Sequence, residues 1–296
     1  MPMKWSRMLA LGACALAAAV RAETPPSLCA DTARHIPQRH AQARGASEFI
    51  ASIAGLGERE RDTAMRRELL AGNLPQFLRS VVPATLDTRL RDGRSITITL
   101  CVLADYLEVG SDSDFLTAPL ALDSALAVAA KFNFMLPTRR IVDLIYRQAA
   151  VRLLPQPLPA GDRMRSTAYL QQHEARVAQQ RASLGAAVGA LSAGHKKDLV
   201  LSERLWLQPG RVAIYGWQRG DGTPIQPLST VHGAGYADYS HGVRLVSQTL
   251  FVDGRPARLL DVLADAQLGP LLSDEGPLPR AAGWLAGFGG SEPAPR

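Results

Sequence analysis

Lysine, cysteine and aromatic residues are all scarce in this chain, and each shortage excludes something. Only four lysines, Lys4, Lys131, Lys196 and Lys197, stand among 33 basic residues, so arginine carries the positive charge. That charge is spread along the chain, and aromatic residues make up only 6% of it. A basic stripe interleaved with aromatics, the footprint of a nucleic-acid binder, is missing, so nucleic acid is not expected as a partner. The cysteines are Cys14, Cys29 and Cys101, too few for a zinc ribbon. The longest apolar run, Met8 to Val20, falls short of the roughly 20 residues a membrane helix needs. No transmembrane segment is therefore expected in the mature chain, and no internal repeat is visible.

The apolar run reads instead as the core of an export signal over residues 1–22. Lys4 and Arg7 make its positive start, and Val20-Arg21-Ala22 places small residues where a signal peptidase cleaves. This implies a periplasmic or secreted protein beginning at Glu23. Leu11-Gly12-Ala13-Cys14 leaves a lipoprotein alternative, in which Cys14 is lipidated. Removing the leader takes three cations and no acid, so the formal charge falls from +6 to +3.

Along Ser95 to Leu103 the apolar residues Ile96, Ile98, Leu100 and Val102 alternate with Thr97, Thr99 and Cys101. This is a strand pattern that puts Cys101 on the more polar face. In an oxidising compartment, a disulfide from Cys101 to Cys29 in the N-terminal arm is expected. Helices are expected at Ser47 to Leu56, Glu58 to Ala71, Leu122 to Phe132 and Thr138 to Ala149, with a shorter one near Gln76 to Val82. A long polar helix is expected over Ser166 to Leu184, with His173 read as solvated. The acidic stretch from Ala104 to Phe115 fails the spacing of a calcium loop and reads as a surface turn. Beyond Asp198 the texture turns strand-like, at Leu199 to Leu201, Arg211 to Trp217 and Val243 to Asp253. The chain thus reads as α+β: a mainly helical region over 23–160, a β-rich region after one helix over 161–274, and a flexible tail over 275–296.

Chemistry-bearing residues concentrate between Ser229 and Leu245. His232 and His241 lie there with Tyr236, Asp238, Tyr239, Ser240 and Arg244. Histidine titrates near neutrality and suits general acid–base work. Upstream, His195-Lys196-Lys197 holds two of the three lysines beyond the leader and leads into a strand that can reach the same sheet end. Candidate catalytic residues are therefore His195, His232, Asp238, Ser240, His241 and Arg244. His232 is the general base, Asp238 orients an imidazole and Arg244 takes a substrate carboxylate. Lys196, Tyr215, Trp217, Tyr236 and Tyr239 are candidate substrate contacts. No cofactor is required. As an alternative, His195, His232 and His241 supply three ligands for a catalytic zinc with an open position.

Ser240-His241-Gly242-Val243-Arg244-Leu245 resembles the Ser-His-Gly-Cys-[Ile/Val]-Arg-[Leu/Met] signature of the L,D-transpeptidases, exported enzymes that cross-link peptidoglycan. The nucleophilic cysteine of that signature is absent, and Gly242 runs straight into Val243. His232, Gly235, Ala237 and Asp238 resemble the zinc motif of the D-Ala-D-Ala peptidases, with the aspartate one residue early. Both resemblances imply a cell-wall peptide substrate. The reading is an exported hydrolase or transferase acting on an amide or peptide, with two alternatives: a zinc-dependent hydrolase, or a non-catalytic periplasmic binding protein.

Overall fold

The computed structural model describes residues 28–288. The export signal and Cys14 lie outside the described residues. The N-terminal arm is tied down by a disulfide and by arginine hydrogen bonds. Cys29 and Cys101 form the expected disulfide, with Cα atoms 5.4 Å apart, and Arg39 donates to Asn73 Oδ1 and to the carbonyl of Gly110, both at 3.0 Å.

The first part holds α1 (Ala46–Ile53), α2 (Glu58–Leu70), β1 (Val82–Arg89), β2 (Ser95–Val102), β3 (Glu108–Ser111), β4 (Asp114–Thr117), α3 (Leu122–Phe132), β5 (Phe134–Met135), α4 (Arg139–Gln148) and β6 (Val151–Arg152). The second part holds α5 (Thr167–Ser183), β7 (Ser192–Ala193), β8 (Lys197–Leu199), α6 (Arg204–Leu207), β9 (Ile214–Gln218), β10 (Pro224–Ser229), β11 (His241–Gly242), β12 (Val246–Ser247), β13 (Thr249–Val252), β14 (Arg255–Arg258), α7 (Leu259–Ala264), α8 (Gly269–Leu272) and α9 (Ala281–Ala286). This is the expected α+β body. Helix starts follow ordinary capping chemistry: Thr138 accepts from the Ile141 N–H to open α4, and Ser166 accepts from Tyr169 to open α5. Among the described residues no helix is long and apolar enough to cross a membrane.

Two sheets organise the molecule. In the larger, β2 is central, flanked by β1 on one side and by β13 and β12 on the other. In the smaller, the order is β10-β9-β8-β11, with β8 and β11 parallel. The segment expected as one strand from Val243 to Asp253 is broken into pieces, because the chain changes sheets there. It leaves β11 and passes residues 243–245 against an irregular stretch, where Leu103 N–H donates to the Leu245 carbonyl and Leu107 N–H to that of Val243. It then enters the larger sheet as β12.

Four expectations are corrected. The helix expected near Gln76 to Val82 is a short 3-10 turn over Gln76–Arg79, and Val82 opens β1, an edge strand where the N–H that Pro83 lacks is not required by the sheet. The acidic stretch is no surface turn: β3 and β4 form a hairpin, with Asp105 and Glu108 both buried. His173 is fully buried rather than solvated. It lies on a face of α5 that buries His173, Val177 and Arg181 at four-residue spacing. α9 lies within the stretch read as a tail, and its Trp284 ring sits 6.2 Å from that of Trp206.

Candidate active site

The parallel pairing of β8 with β11 puts Lys197 beside His241 and Asp198 beside Gly242. Ser240 accepts the Lys197 N–H through its carbonyl at 2.7 Å. This is the juxtaposition of the lysine segment and the histidine loop expected from the sequence. Gly242 makes it possible. A Cβ there would lie 2.6 Å from Tyr106 Cδ1 and 2.7 Å from Lys196 Cβ, so no larger residue fits between them.

Around Lys197 and His241 sits a compact group. Asp238 is buried and accepts three hydrogen bonds: from Tyr236 Oη at 2.9 Å, from Ser240 N–H at 2.8 Å and from Ser240 Oγ at 2.5 Å. Its Oδ2 lies 4.0 Å from His241 Nε2. Burial would raise this carboxyl, but His241, the Ser240 bonds and Lys197 outweigh it and hold the pKa below its usual value. His241 is completely buried, and neither ring nitrogen has a hydrogen-bond partner among the described residues. Burial, only partly offset by Asp238, pushes its pKa down to about 4, so the ring is neutral at pH 7. His232 is half-buried and lies flat on Tyr236, with ring centroids 4.0 Å apart and planes within 5°. It stands 6.2 Å from the His241 ring and offers the group's face towards solvent. Desolvation lowers its pKa as well.

Lys197 reaches over the Trp217 ring, with Nζ 5.0 Å from the centroid, and burial lowers its pKa. Trp217 has φ of +58°, a conformation that bulky side chains seldom adopt. Backbone strain of this kind collects at functional sites, where surrounding structure must enforce it.

Other candidates are placed elsewhere or in other roles. Arg244 is 1% exposed, donates to the carbonyls of Leu103 and Ser192, and lies 4.3 Å above the Tyr106 ring. It ties the end of β2 to β7 and presents no guanidinium to a substrate carboxylate. Lys196 is fully buried, with Nζ donating to His173 Nδ1 at 3.1 Å, Glu174 Oε1 at 2.5 Å and the Tyr239 carbonyl at 3.0 Å. Tyr215 donates to Asp143 Oδ1, and Tyr239 to the Leu158 carbonyl. With Trp217 these two tyrosines are buried, and Tyr236 is the most exposed of the four aromatic candidates.

His195 belongs to a different group. It is 1% exposed, with Nε2 3.6 Å from Asp105 Oδ1 and its ring edge-on to Tyr106. Among the described residues no ring contact or ion pair joins it to His232 or His241, and no three His, Cys, Asp or Glu side chains are grouped to hold a metal ion. The three-histidine constellation is thus not assembled. Asp105 also binds Arg181 Nη2 at 2.6 Å, and Lys196 links this group to Glu174 and His173. A further buried acid, Asp198, accepts from Tyr106 Oη at 3.0 Å, and burial raises its pKa to about 7.

No protein-family model matches the chain, and comparison with curated proteins and with solved structures finds no match either.

Sequence reasoning missed Lys197, the lysine that faces the histidine loop, and chose its neighbour. The signal was present. Adjacent residues of an extended segment point to opposite faces, so Lys196 turns inward to His173, Glu174 and the Tyr239 carbonyl while Lys197 turns to Trp217 and the His241 side. Asp105, Glu108, Glu174 and Arg181 were missed because nothing local marks a charged residue as buried.

Proposed function

We propose that the chain is an exported hydrolase or transferase of amide bonds, with a cell-wall peptide as the leading substrate class, working by acid–base catalysis at His232. The observation that carries this reading is the graded pair of imidazoles. His241 is buried and neutral with no hydrogen-bond partner among the described residues, and His232, 6.2 Å away, is half-exposed on Tyr236. A neutral His232 accepts a proton from water as the water oxygen bonds to the amide carbonyl carbon. It returns that proton to the amine nitrogen as the carbon–nitrogen bond breaks, leaving an acid and a free amine. The Lys197 ammonium is positioned to favour negative charge developing on the carbonyl oxygen. Asp238, fixed by Tyr236 and Ser240, holds the His241 side of the group.

Ser240 is not the nucleophile in this scheme, since its hydroxyl is fully buried and committed to Asp238. Water, or the amine of a second peptide, takes that part. The resemblance of the Ser240 to Leu245 stretch to the L,D-transpeptidases supports the substrate class, and the disulfide fits an oxidising compartment. The test is incubation of the purified protein with peptidoglycan fragments and mass spectrometry of the products. Fragments that gain one water, or that exchange one amine for another, are expected. Unchanged fragments at all times would overturn the reading.

A further inference from the structure

A cleft of about 360 Å³ lies on the other side of the buried charge layer, between α5 and the β3–β4 hairpin. None of His232, Tyr236, Asp238 or His241 lines it, so a ligand bound there is independent of the proposed chemistry. Its floor is formed by Glu108, Glu174, Arg181 and His195, and its walls include the apolar Phe115 and Val177. Such a volume accommodates a small organic molecule.

The cations around this floor are committed to partners other than Glu108. Arg181 is committed to Asp105 at 2.6 Å, and Lys196 to Glu174 at 2.5 Å. Arg244 is held by two backbone carbonyls and comes no nearer than 4.0 Å to Asp105. Glu108 is therefore the acid with no ion-pair contact among the described residues. It is 1% exposed, and its Oε2 has no hydrogen-bond partner among the described residues. A buried carboxyl left so costs free energy unless it is neutral or partnered. Burial, together with Asp105 and Glu174 nearby, raises its pKa well above the ordinary value.

His195 supplies the second unmet group. It is neutral, since burial lowers its pKa to about 3 despite Asp105. The Asp105 carboxylate beside Nε2 favours the tautomer with hydrogen on that nitrogen. Nδ1 is then a lone-pair acceptor, buried and without a partner among the described residues. The cleft thus offers three acceptors: Glu108, His195 Nδ1 and the partly exposed carboxylate of Glu174. Three acceptors and one unneutralised acid complement a group with three N–H donors and a single positive charge. No cluster suited to a metal ion is present among the described residues, and the apolar walls call for a carbon body.

We propose that this cleft binds an organic molecule through a primary ammonium group that donates to Glu108, Glu174 and His195 Nδ1. Binding converts Glu108 from acid to carboxylate, and its proton passes to solvent. The test is calorimetry on the mature protein near neutral pH with n-butylammonium chloride, against 1-butanol at matched ionic strength, in buffers of different ionisation enthalpy. Butylammonium should bind about tenfold or more tightly than butanol and release about one proton per site. Glu108→Gln, which keeps the shape of the neutral acid, should lose about tenfold in butylammonium affinity and abolish the proton release. Equal affinity for the two probes, no detectable butylammonium binding, or proton release unchanged in Glu108→Gln would each overturn the proposal.

Discussion

Protonating His241 should cost the fold measurably, and the cost can be read from pH alone. The ring is fully buried, and its pKa lies near 4 against 6.5 in the unfolded chain. Below about pH 6.5 the unfolded chain takes up a proton that the folded protein refuses until about pH 4. The stability associated with the neutral ring is therefore complete above pH 6.5 and lost as pH falls towards 4. Each pH unit inside that window is worth about 1.4 kcal/mol, so going from about pH 8 to about pH 5 should remove about 2 kcal/mol through this residue. Other groups act in the same range. His173 and His195 have the same sign, whereas Asp198 and Glu108, with raised pKa values, lose stability as pH rises. These groups are common to the wild type and a His241→Asn variant, so the comparison cancels them. Urea unfolding at both pH values should show the wild type losing about 2 kcal/mol more than the variant over this interval. Stability profiles that run parallel within about 0.5 kcal/mol would refute a buried neutral His241.

The disulfide closes a loop across 72 positions, so replacing Cys29 and Cys101 together by alanine should lower stability by about 2–4 kcal/mol in chemical denaturation. A loss below about 1 kcal/mol would mean the arm is held by its other contacts. Gly242→Ala drives a methyl into Tyr106 and the Lys196 stem, and should cost about 1–3 kcal/mol in the same assay. No change would show that β8 and β11 can separate without penalty.

What was legible in the sequence depended on range. The Cys29–Cys101 bond could be reasoned from strand alternation, because period two fixes which face Cys101 occupies. The starts of α4 and α5 were legible because a cap and its helix are a few residues apart. The loop from His232 to His241 was legible because its groups are adjacent. The Asp105–Arg181 pair spans 76 positions and Tyr106–Asp198 spans 92. Burial of such charges depends wholly on partners that no local pattern reveals. For the same reason Arg244 looked like a ligand for substrate when its partners are the distant carbonyls of Leu103 and Ser192. His173 looked solvated because its immediate neighbours in the chain are polar, and nothing among them marks the buried face of the helix.

The central claim is that His232 moves protons for an amide reaction, and replacing it with alanine tests that most directly. The ring is half-exposed, and its main neighbour is the Tyr236 ring, so little stability depends on it. His232→Ala should reduce release of amines from peptidoglycan fragments by about a hundredfold or more, while its melting temperature stays within about 2 °C of the wild type. Full activity in a folded His232→Ala protein would contradict the account. So would a variant whose activity falls only because it has unfolded.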